Sequence, residues 1–389
     1  MGKLYTALGL MSGTSMDGVD ASIISSDGKK EYSVKLNKYF EYSDELRQKL
    51  INIRPKIHKP EHLEKYSIEI REMEREITLF HANVVNEILS TSKINVDLLG
   101  FHGHTIFHDG DKKISKQLGD GKLLSQLTNK IVIYNFRQKD IQNGGQGAPL
   151  TPIFHNVIAN KFLKKELNES FSVNFLNIGG IANITQTVKW ENSEDKLNDI
   201  KASDIAPGNC LIDEWIRKNT KNKYDNNGIL ASSGKTNELI LNQALENFNI
   251  NQPYENSLDI NDFDISFVKG LSLENGAATL TDFTAAQIIK ALLYSVRSKK
   301  NYIWLICGGG RKNVYLFNLI KNQIAEYSKM KDVSISIFPI EKIGIDGDFV
   351  ESQAFGYLAI RSFLKLPISF PNTTRCKVPT CGGILAKNF

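Results

Sequence analysis

The turn Met11-Ser-Gly-Thr-Ser-Met-Asp-Gly18 decides the fold, because an apolar strand leads into it and a second strand leads out of it. These flanking strands are predicted over residues 4–10 and 19–24. Glycine tolerates positive φ and permits close approach of a ligand, so such a turn can aim several backbone N–H groups at one phosphate. Taken alone, the stretch is also compatible with an ordinary β-hairpin turn.

Side chains in this turn strengthen the phosphate interpretation. Ser12, Thr14 and Ser15 supply hydroxyl donors. Asp17 and Asp20 supply carboxylates of the type that hold Mg²⁺, usually through water. A phosphate cradle next to acidic residues indicates a metal nucleotide, with Asp17 as the candidate metal ligand.

A second copy of this pattern lies in the other half of the chain. The strand 171–177 leads into Ile178-Gly-Gly-Ile-Ala-Asn183, and a further strand follows over 184–188. In each half, helices then lead to a strand that is followed by glycine, over 96–101 before His102-Gly103 and over 302–307 before Gly308. This repetition predicts an α/β fold with mixed sheets, built from two domains that arose by duplication.

Three helices are predicted with specific boundaries. Apolar residues at spacings of three and four predict one amphipathic helix over residues 61–89. Thr284 and Gln287 have the spacing of a capping box, which predicts a helix beginning there. The apolar stretch 350–363 predicts a buried helix that ends before Pro367 and crosses between the domains.

Two common nucleotide-binding folds, the P-loop NTPase fold and the dinucleotide-binding fold, are disfavoured because their sequence motifs are absent. The chain has no G-x-x-x-x-G-K-S/T, and no G-x-G-x-x-G follows a strand. The remaining possibility is a pair of glycine turns, one from each half, that face each other across a cleft.

Length and composition set broad limits. The chain has 389 residues, and about 150 residues per domain suggests two or three domains, of which we expect two. We predict one domain from residues 1–135 with the segment 351–389, and the other from 136–350. A net charge of +5, spread over the chain, gives no basic stripe for nucleic acid. Four dispersed cysteines and the lack of a signal peptide or membrane span predict a cytoplasmic protein with no membrane partner.

A candidate catalytic loop lies between the halves. Asp140 stands just before Gly144-Gly-Gln-Gly-Ala-Pro149, and phosphoryl transfer needs a carboxylate base near the acceptor. Arg137 and Gln146 are placed to orient substrate hydroxyls. An isolated aspartate in a loop is, however, more often a cap or turn residue.

Other candidates remain open between structural and functional roles. His102 is a candidate contact for a substrate hydroxyl. Glu351, one turn into its helix, could reach a cleft, although acidic residues there also cap helices. Gly308-Gly-Gly310 could face a purine with Arg311 or Asn313 on the ribose or base, or serve tight strand-helix packing.

The loop Asp204-Ile-Ala-Pro-Gly-Asn209 is either a turn or a phosphate-side loop whose aspartate helps to organise metal.

These motifs resemble the anhydro-N-acetylmuramic acid kinase family along nearly the whole chain. The matching stretches are Gly9–Asp20, Gly100–Thr105, Gln117–Gly121, Gly144–Leu150, Asn177–Asn183 and Gly308–Gly310. The resemblance implies a fold similar to actin, hexokinase and Hsp70 (ribonuclease H-like), with ATP in the cleft between two duplicated domains. It further implies a homodimer that takes part in peptidoglycan recycling.

The implied reaction converts ATP, water and 1,6-anhydro-N-acetylmuramic acid into N-acetylmuramic acid 6-phosphate and ADP. Asp140 would activate water for attack at the anomeric carbon, and Glu351 matches an acidic position at the sugar site. The implied nucleotide contacts, with Mg²⁺ at Asp17, are Gly13, Thr14, Ser15, Met16, Asp17, Gly18, Val19, Asp20, Asn177, Gly179, Gly180, Gly308, Gly309 and Gly310.

The chain departs from the family at three places. His104 stands where Gln is usual, Ala206 lies in a loop that usually reads Thr-Gly-Pro-Gly-Asn, and the segment 377–385 is only loosely similar. Two other functions stay open: a kinase of another anhydro sugar or hexose, and a non-catalytic ATP switch of the actin or Hsp70 kind.

Overall fold

A computed structural model describes residues 2–13, 16–166, 171–189, 194–248, 258, 260–296 and 301–389. The strands are β1 Tyr5–Ser12, β2 Gly18–Ser26, β3 Tyr32–Glu41, β4 Leu98–Asp109, β5 Ile114–Leu118, β6 Ile131–Tyr134, β7 Phe171–Ile178, β8 Ala182–Gln186, β9 Lys201–Ala206, β10 Asn301–Cys307, β11 Ile335–Pro339 and β12 Ile384–Ala386. The helices are α1 Asp44–Ile53, α2 Pro60–Lys65, α3 Ser67–Ser92, α4 Gly121–Thr128, α5 Gln138–Gln142, α6 Pro152–Glu166, α7 Cys210–Asn219, α8 Ile229–Ser233, α9 Glu238–Asn247, α10 Leu273–Tyr294, α11 Val314–Lys331, α12 Val350–Phe363 and α13 Pro371–Thr374.

The chain divides into two compact units. The first contains residues 1–161, 189–200 and 349–389, and the second contains 162–188 and 201–348. The segment 136–161 lies in the first unit, whereas the sequence-based boundary at residue 135 assigns it to the second. The reason is packing, since Phe154 of α6 stacks edge-on against Tyr32 of β3 at 5.3 Å between ring centroids.

The sheets of the two units share one topology. In the first unit the order β3-β2-β1-β4-β6 has antiparallel neighbours up to β1 and parallel neighbours from β1 onward. In the second, β9-β8-β7-β10-β11 repeats that order and those directions. The predicted α/β fold with mixed sheets and related halves is confirmed.

The first sheet approaches α12 closely because glycine faces the helix. A Cβ at Gly9 would lie 1.9 Å from the Ser352 carbonyl oxygen, and one at Gly100 would lie 2.2 Å from the Phe355 carbonyl oxygen. Helix α12 spans the residues predicted for it and is buried over nearly its whole length. This close packing fixes the start of α12, and hence Glu351, against the sheet.

Two predicted helix boundaries are wrong. The helix predicted over 61–89 is interrupted at Tyr66, which ends α2 and precedes α3. Helix α10 begins at Leu273 and is capped by the Ser272 side chain, so Thr284 lies buried in mid-helix and caps nothing. The capping-box spacing misleads here because α10 is buried on most of its faces and accommodates small hydroxyl residues among its apolar ones.

None of the helices in the described ranges has both the length and the apolar character needed to cross a bilayer.

Candidate active site

The residues predicted to contact sugar all lie in the first unit, and Arg137 binds two of the segments that carry them. Its Nη2 donates to His102 Nε2 at 2.8 Å, and its Nη1 donates to the Gly147 carbonyl oxygen at 2.7 Å. Burial lowers the pKa of Arg137 to about 10, while the nearby Glu351 and Asp140 oppose that shift. His102 of β4 and Gly147 of the following loop therefore bind this guanidinium, and Asp140 and Glu351 lie near enough to act on its charge.

The hydrogen bonds of His102 determine its tautomer. An arginine only donates, so Nε2 accepts, and Nδ1–H donates to the Gly103 carbonyl oxygen at 2.8 Å. Burial, together with the Arg137 charge, lowers the pKa of His102 well below its usual value. The imidazole is thus held neutral, and it packs at a tilt against Phe355 with 4.4 Å between the ring centroids.

His104 lies on the other face of the same strand. Residues two apart in a regular strand share a face, but Gly103 has φ +75° and interrupts the alternation. His104 Nδ1 lies 3.3 Å from Ser12 Oγ, which is 2.7 Å from the Tyr42 hydroxyl. His104 therefore supports the end of β1 and does not join the cluster around Arg137.

Asp140 is buried and accepts three hydrogen bonds. Its Oδ1 accepts from Ser369 Oγ at 2.5 Å and from Thr374 Oγ1 at 2.6 Å. Its Oδ2 accepts from the Gly147 backbone N–H at 2.7 Å. With its oxygens committed in this way, Asp140 holds the loop, and the geometry disfavours the predicted role of a base that takes a proton from water.

Glu351 has the opposite character. It is half-buried in the first turn of α12, and within the described residues no hydrogen bond reaches its carboxylate. Burial raises its pKa, and Arg137 lowers it in part. A carboxylate with raised proton affinity and available lone pairs suits general base catalysis.

Gln146 is fixed mainly through its backbone. Its N–H donates to the Thr374 carbonyl oxygen at 2.7 Å, and its side chain packs beside Gly110. Gln146 is buried, at 7% exposure. It contributes to the shape of the loop that carries Gly147.

The predicted phosphate turn after β1 is only partly described, since Thr14 and Ser15 lie outside the described residues. Met16 has φ +56°, and its N–H donates to the Gly13 carbonyl oxygen at 3.3 Å. The Asp17 carbonyl oxygen accepts from Tyr42 N–H at 2.8 Å. This turn is therefore anchored from the end of β3.

The last residues assigned to this turn already belong to β2. Gly18, Val19 and Asp20 pair in register with Glu41, Phe40 and Tyr39 of β3. Among the described residues, no cluster of three or more His, Cys, Asp or Glu side chains is arranged to hold a metal ion.

The glycine turns of the second unit converge. The Gly179 carbonyl oxygen accepts from Asn209 N–H at 2.7 Å, so the β7–β8 turn rests on the loop before α7. A Cβ at Gly310 would lie 2.2 Å from Ile178 and 3.0 Å from Asn209 Oδ1. Three segments far apart in sequence thus form one glycine-lined surface.

The glycines of this surface are of two kinds. Gly308 is required by the backbone and by packing, since it has φ +78° and a Cβ there would lie 2.4 Å from Asn177 Oδ1. A Cβ at Gly309 would meet only Asn209 Nδ2, at 4.0 Å, and Gly179 and Gly180 have similarly open surroundings. Open backbone of this kind allows a ligand to approach closely.

The side chains after Gly310 are committed to the protein itself. Arg311 Nε donates to Glu341 at 2.7 Å, and its Nη1 donates to Asp348 at 2.9 Å. Asn313 Oδ1 caps α11 through Leu316 N–H at 3.0 Å. These contacts favour a structural role over the predicted contact with a ribose or base.

Asp204 lies in β9 opposite Asn183 of β8 and is half-buried. Its Oδ2 accepts from Leu258 N–H at 3.0 Å.

Comparison with known proteins identifies the family. Residues 5–387 match the family model described as anhydro-N-acetylmuramic acid kinase. The chain belongs to this family.

Two relatives named anhydro-N-acetylmuramic acid kinase are similar along their whole length. The protein from Pelagibacter ubique is 52% identical over 392 residues, covering 100% of both chains. The protein from Rhizobium etli is 37% identical over 403 residues, covering 99% of this chain and 100% of that one. Among solved structures, a ROK hexokinase from Thermus thermophilus has a TM-score of 0.37 and 9% identity over 91% of this chain and 99% of that chain, too distant a likeness to support an argument.

Several contacts at these sites have no signal in the sequence. Ser369 and Thr374, which bind Asp140, lie more than 200 positions after it. Asn209 supports the β7–β8 turn through its backbone N–H. It lies in the loop 204–209, which the sequence marks as a candidate phosphate-side loop without indicating this contact. Sequence spacing does not reveal partners that only tertiary structure brings together.

Proposed function

We propose that this chain is an ATP-dependent kinase that hydrolytically opens 1,6-anhydro-N-acetylmuramic acid and phosphorylates its O6, giving N-acetylmuramic acid 6-phosphate for peptidoglycan recycling. Family membership over residues 5–387 supports the substrate. The observation that carries the chemistry is the cluster around Arg137, which combines a neutral imidazole with the carboxylate of Glu351.

In this proposal Glu351 is the general base. It takes a proton from the water whose oxygen attacks the anomeric carbon, and the bond from that carbon to O6 breaks. O6 then attacks the γ-phosphorus of ATP, and ADP departs. A base on one face of the sugar and a leaving oxygen on the other is the arrangement of an inverting glycosidase.

The neighbours of Glu351 have supporting roles. Arg137 favours the ionised form of Glu351, since its charge lowers the carboxyl pKa that burial raises. Both ring nitrogens of His102 are bonded within the protein, to Arg137 and Gly103, so in this proposal His102 orients Arg137. Its contact with a substrate hydroxyl stays a prediction from the sequence. Asp140 holds the loop 144–147 in place.

The glycine surface of the second unit is proposed to bind ATP. Gly179, Gly180 and Gly309 leave backbone open to a ligand, and Asn177 lies beside Gly308. The turn from Gly13 to Asp20 stays a predicted phosphate contact.

Mg²⁺ bound with ATP would neutralise phosphate charge, and Asp17 is the residue proposed to hold it. A single carboxylate is enough for this ion, because Mg²⁺ is commonly held by one or two carboxylates together with phosphates and water.

Two further features belong to the proposal. All four cysteines, Cys210, Cys307, Cys376 and Cys381, are free thiols, which agrees with a cytoplasmic location. A homodimer is proposed from the family resemblance and is tested by the mass of the purified protein in solution.

A sugar panel tests the substrate. We expect ADP release with ATP, Mg²⁺ and 1,6-anhydro-N-acetylmuramic acid, and at least about 100-fold lower kcat/KM with glucose or with 1,6-anhydroglucose, because a site built around hydrogen bonds discriminates strongly. Faster turnover of another sugar would show that the proposed substrate is wrong and that the other sugar takes its place. ATP binding with no sugar-stimulated turnover would instead favour a nucleotide switch.

A further inference from the structure

The C-terminal strap, residues 369–380, packs against the glycine loop, residues 143–147, in the first unit. Two backbone hydrogen bonds join them, from Gln146 N–H to the Thr374 carbonyl oxygen at 2.7 Å and from Lys377 N–H to the Asn143 carbonyl oxygen at 3.0 Å. The middle of the strap is thus joined to the loop by backbone hydrogen bonds at two positions, Thr374 and Lys377.

Side chains of the strap add a second set of contacts, directed at Asp140. The Ser369 and Thr374 hydroxyls both donate to Oδ1, at 2.5 and 2.6 Å. Asp140, Ser369 and Thr374 are all fully buried. Hydrogen bonds to a carboxylate are about twice as strong as those between neutral groups, and a buried one is costly to break.

The other carboxylate oxygen carries this constraint to the loop. Asp140 Oδ2 accepts from Gly147 N–H at 2.7 Å, and a Cβ at Gly145 would lie 2.1 Å from the same oxygen. The Gly147 carbonyl oxygen in turn accepts from Arg137 at 2.7 Å. One side of Asp140 therefore binds the strap, and the other side positions the peptide that orients Arg137.

We propose that Ser369 and Thr374 are positioning residues for the sugar side of the active site. They act through Asp140, which fixes the glycine loop and with it the guanidinium beside His102 and Glu351. The inference rests on the proposed function for its catalytic consequence. The structural claim, that the two hydroxyls hold the loop in place, depends only on the observed contacts.

Thr374→Val in the full chain tests the catalytic half. The change keeps the shape of the side chain and removes one donor to Asp140. We expect kcat/KM for 1,6-anhydro-N-acetylmuramic acid to fall about 10- to 100-fold, since small misplacement near reacting groups has effects of this size. KM for ATP should stay within about twofold, and Thr374→Ser, which restores the hydroxyl, should recover most of the activity.

Thr373→Val is the matched control. It removes a buried hydroxyl from the same short helix, α13, but this hydroxyl bonds only to the backbone of Phe370. If the loss of any buried hydroxyl from the strap only destabilised the protein, Thr374→Val and Thr373→Val would lower the melting temperature and the active fraction to the same extent. Equal losses of kcat/KM in the two variants, or failure of Thr374→Ser to recover activity, would overturn the proposal.

Amide hydrogen exchange tests the structural half without any turnover. Exchange at Gly145 and Gly147 should be at least about tenfold faster in Thr374→Val than in wild type and nearly unchanged in Thr373→Val. Unchanged exchange in Thr374→Val would refute the role of the strap whatever the enzyme does. A wild-type protein that turns over no anhydro sugar would refute the proposed function and leave the exchange result to decide the strap.

Discussion

Arg137 Nη2 donates to His102 Nε2 at 2.8 Å, although the two residues belong to different elements of the first unit. A guanidinium can hold this position only against a neutral imidazole, because both ring nitrogens of a protonated one are donors. With the imidazole held neutral, Glu351, whose pKa is raised by burial, is the base that we propose for the sugar side.

Glu351→Gln is expected to lower kcat by about 10²- to 10⁴-fold, because the amide keeps the shape but cannot accept the proton from water. The measurement is steady-state ADP release, with ATP affinity as the control for folding. Asp140→Asn should also reduce activity, by loosening the loop, but should keep the acidic limb of the pH profile. If that limb disappears in Asp140→Asn and persists in Glu351→Gln, the two roles are reversed.

The pH profile should respond to Arg137. A base must be ionised, so wild-type kcat/KM falls as pH drops through the pKa of Glu351, which lies above the usual glutamate value. Arg137→Gln removes the charge that lowers this pKa, and the acidic limb should move to higher pH. A limb that stays in place would show that another group titrates.

The glycine surface of the second unit offers a matched pair of variants. In Gly309→Ala the new methyl meets no atom closer than 4.0 Å, so folding should be unaffected while ATP affinity falls about tenfold or more. In Gly308→Ala the strained φ and the contact at 2.4 Å to Asn177 should lower the melting temperature as well. Calorimetric titration with ATP and thermal unfolding separate the two effects. Unaltered ATP binding in Gly309→Ala would show that this surface is not part of the nucleotide site.

His81 predicts an effect of pH on stability. It is fully buried, its Nδ1 lies 2.7 Å from the Ile77 carbonyl oxygen, and burial lowers its pKa to about 4. In the unfolded chain a histidine binds its proton near pH 6.5, so the stability this group contributes is present above that pH and is lost as pH falls toward 4.

His81→Gln should therefore make the free energy of unfolding less sensitive to pH, by about 2 kcal/mol between pH 7 and pH 5. Urea denaturation at the two pH values measures the difference. His58→Gln, at an exposed position, is the control. Equal pH dependence in wild type and His81→Gln would contradict the account.

The general fold could be predicted from sequence because local signals agreed with it. Each glycine turn follows a continuous apolar strand, and the repetition of this unit indicated the duplicated sheets. Helix α12 was predicted within its observed bounds because its apolar stretch ends shortly before Pro367. Where buried hydroxyl residues occur inside a helix, as at Thr284, the same local rules gave a false start.

The residues predicted for the sugar site all lie in the first unit, but their contacts could not be predicted from sequence. His102, Arg137, Gln146 and Glu351 are predicted there, yet nothing local in the sequence shows that Arg137 binds His102 and the loop that carries Gly147. The committed oxygens of Asp140 depend on Ser369 and Thr374, which come from a distant segment with no motif. The placement of His104 depends on one positive φ, at Gly103, which a strand pattern does not reveal.

The mass of the sugar product tests the central claim most directly. With ATP, Mg²⁺ and 1,6-anhydro-N-acetylmuramic acid, we expect a product heavier than the substrate by one water and one phosphoryl group, formed in equal amount to ADP. A product that gains phosphate without water, or ADP released while the sugar stays intact, would contradict it.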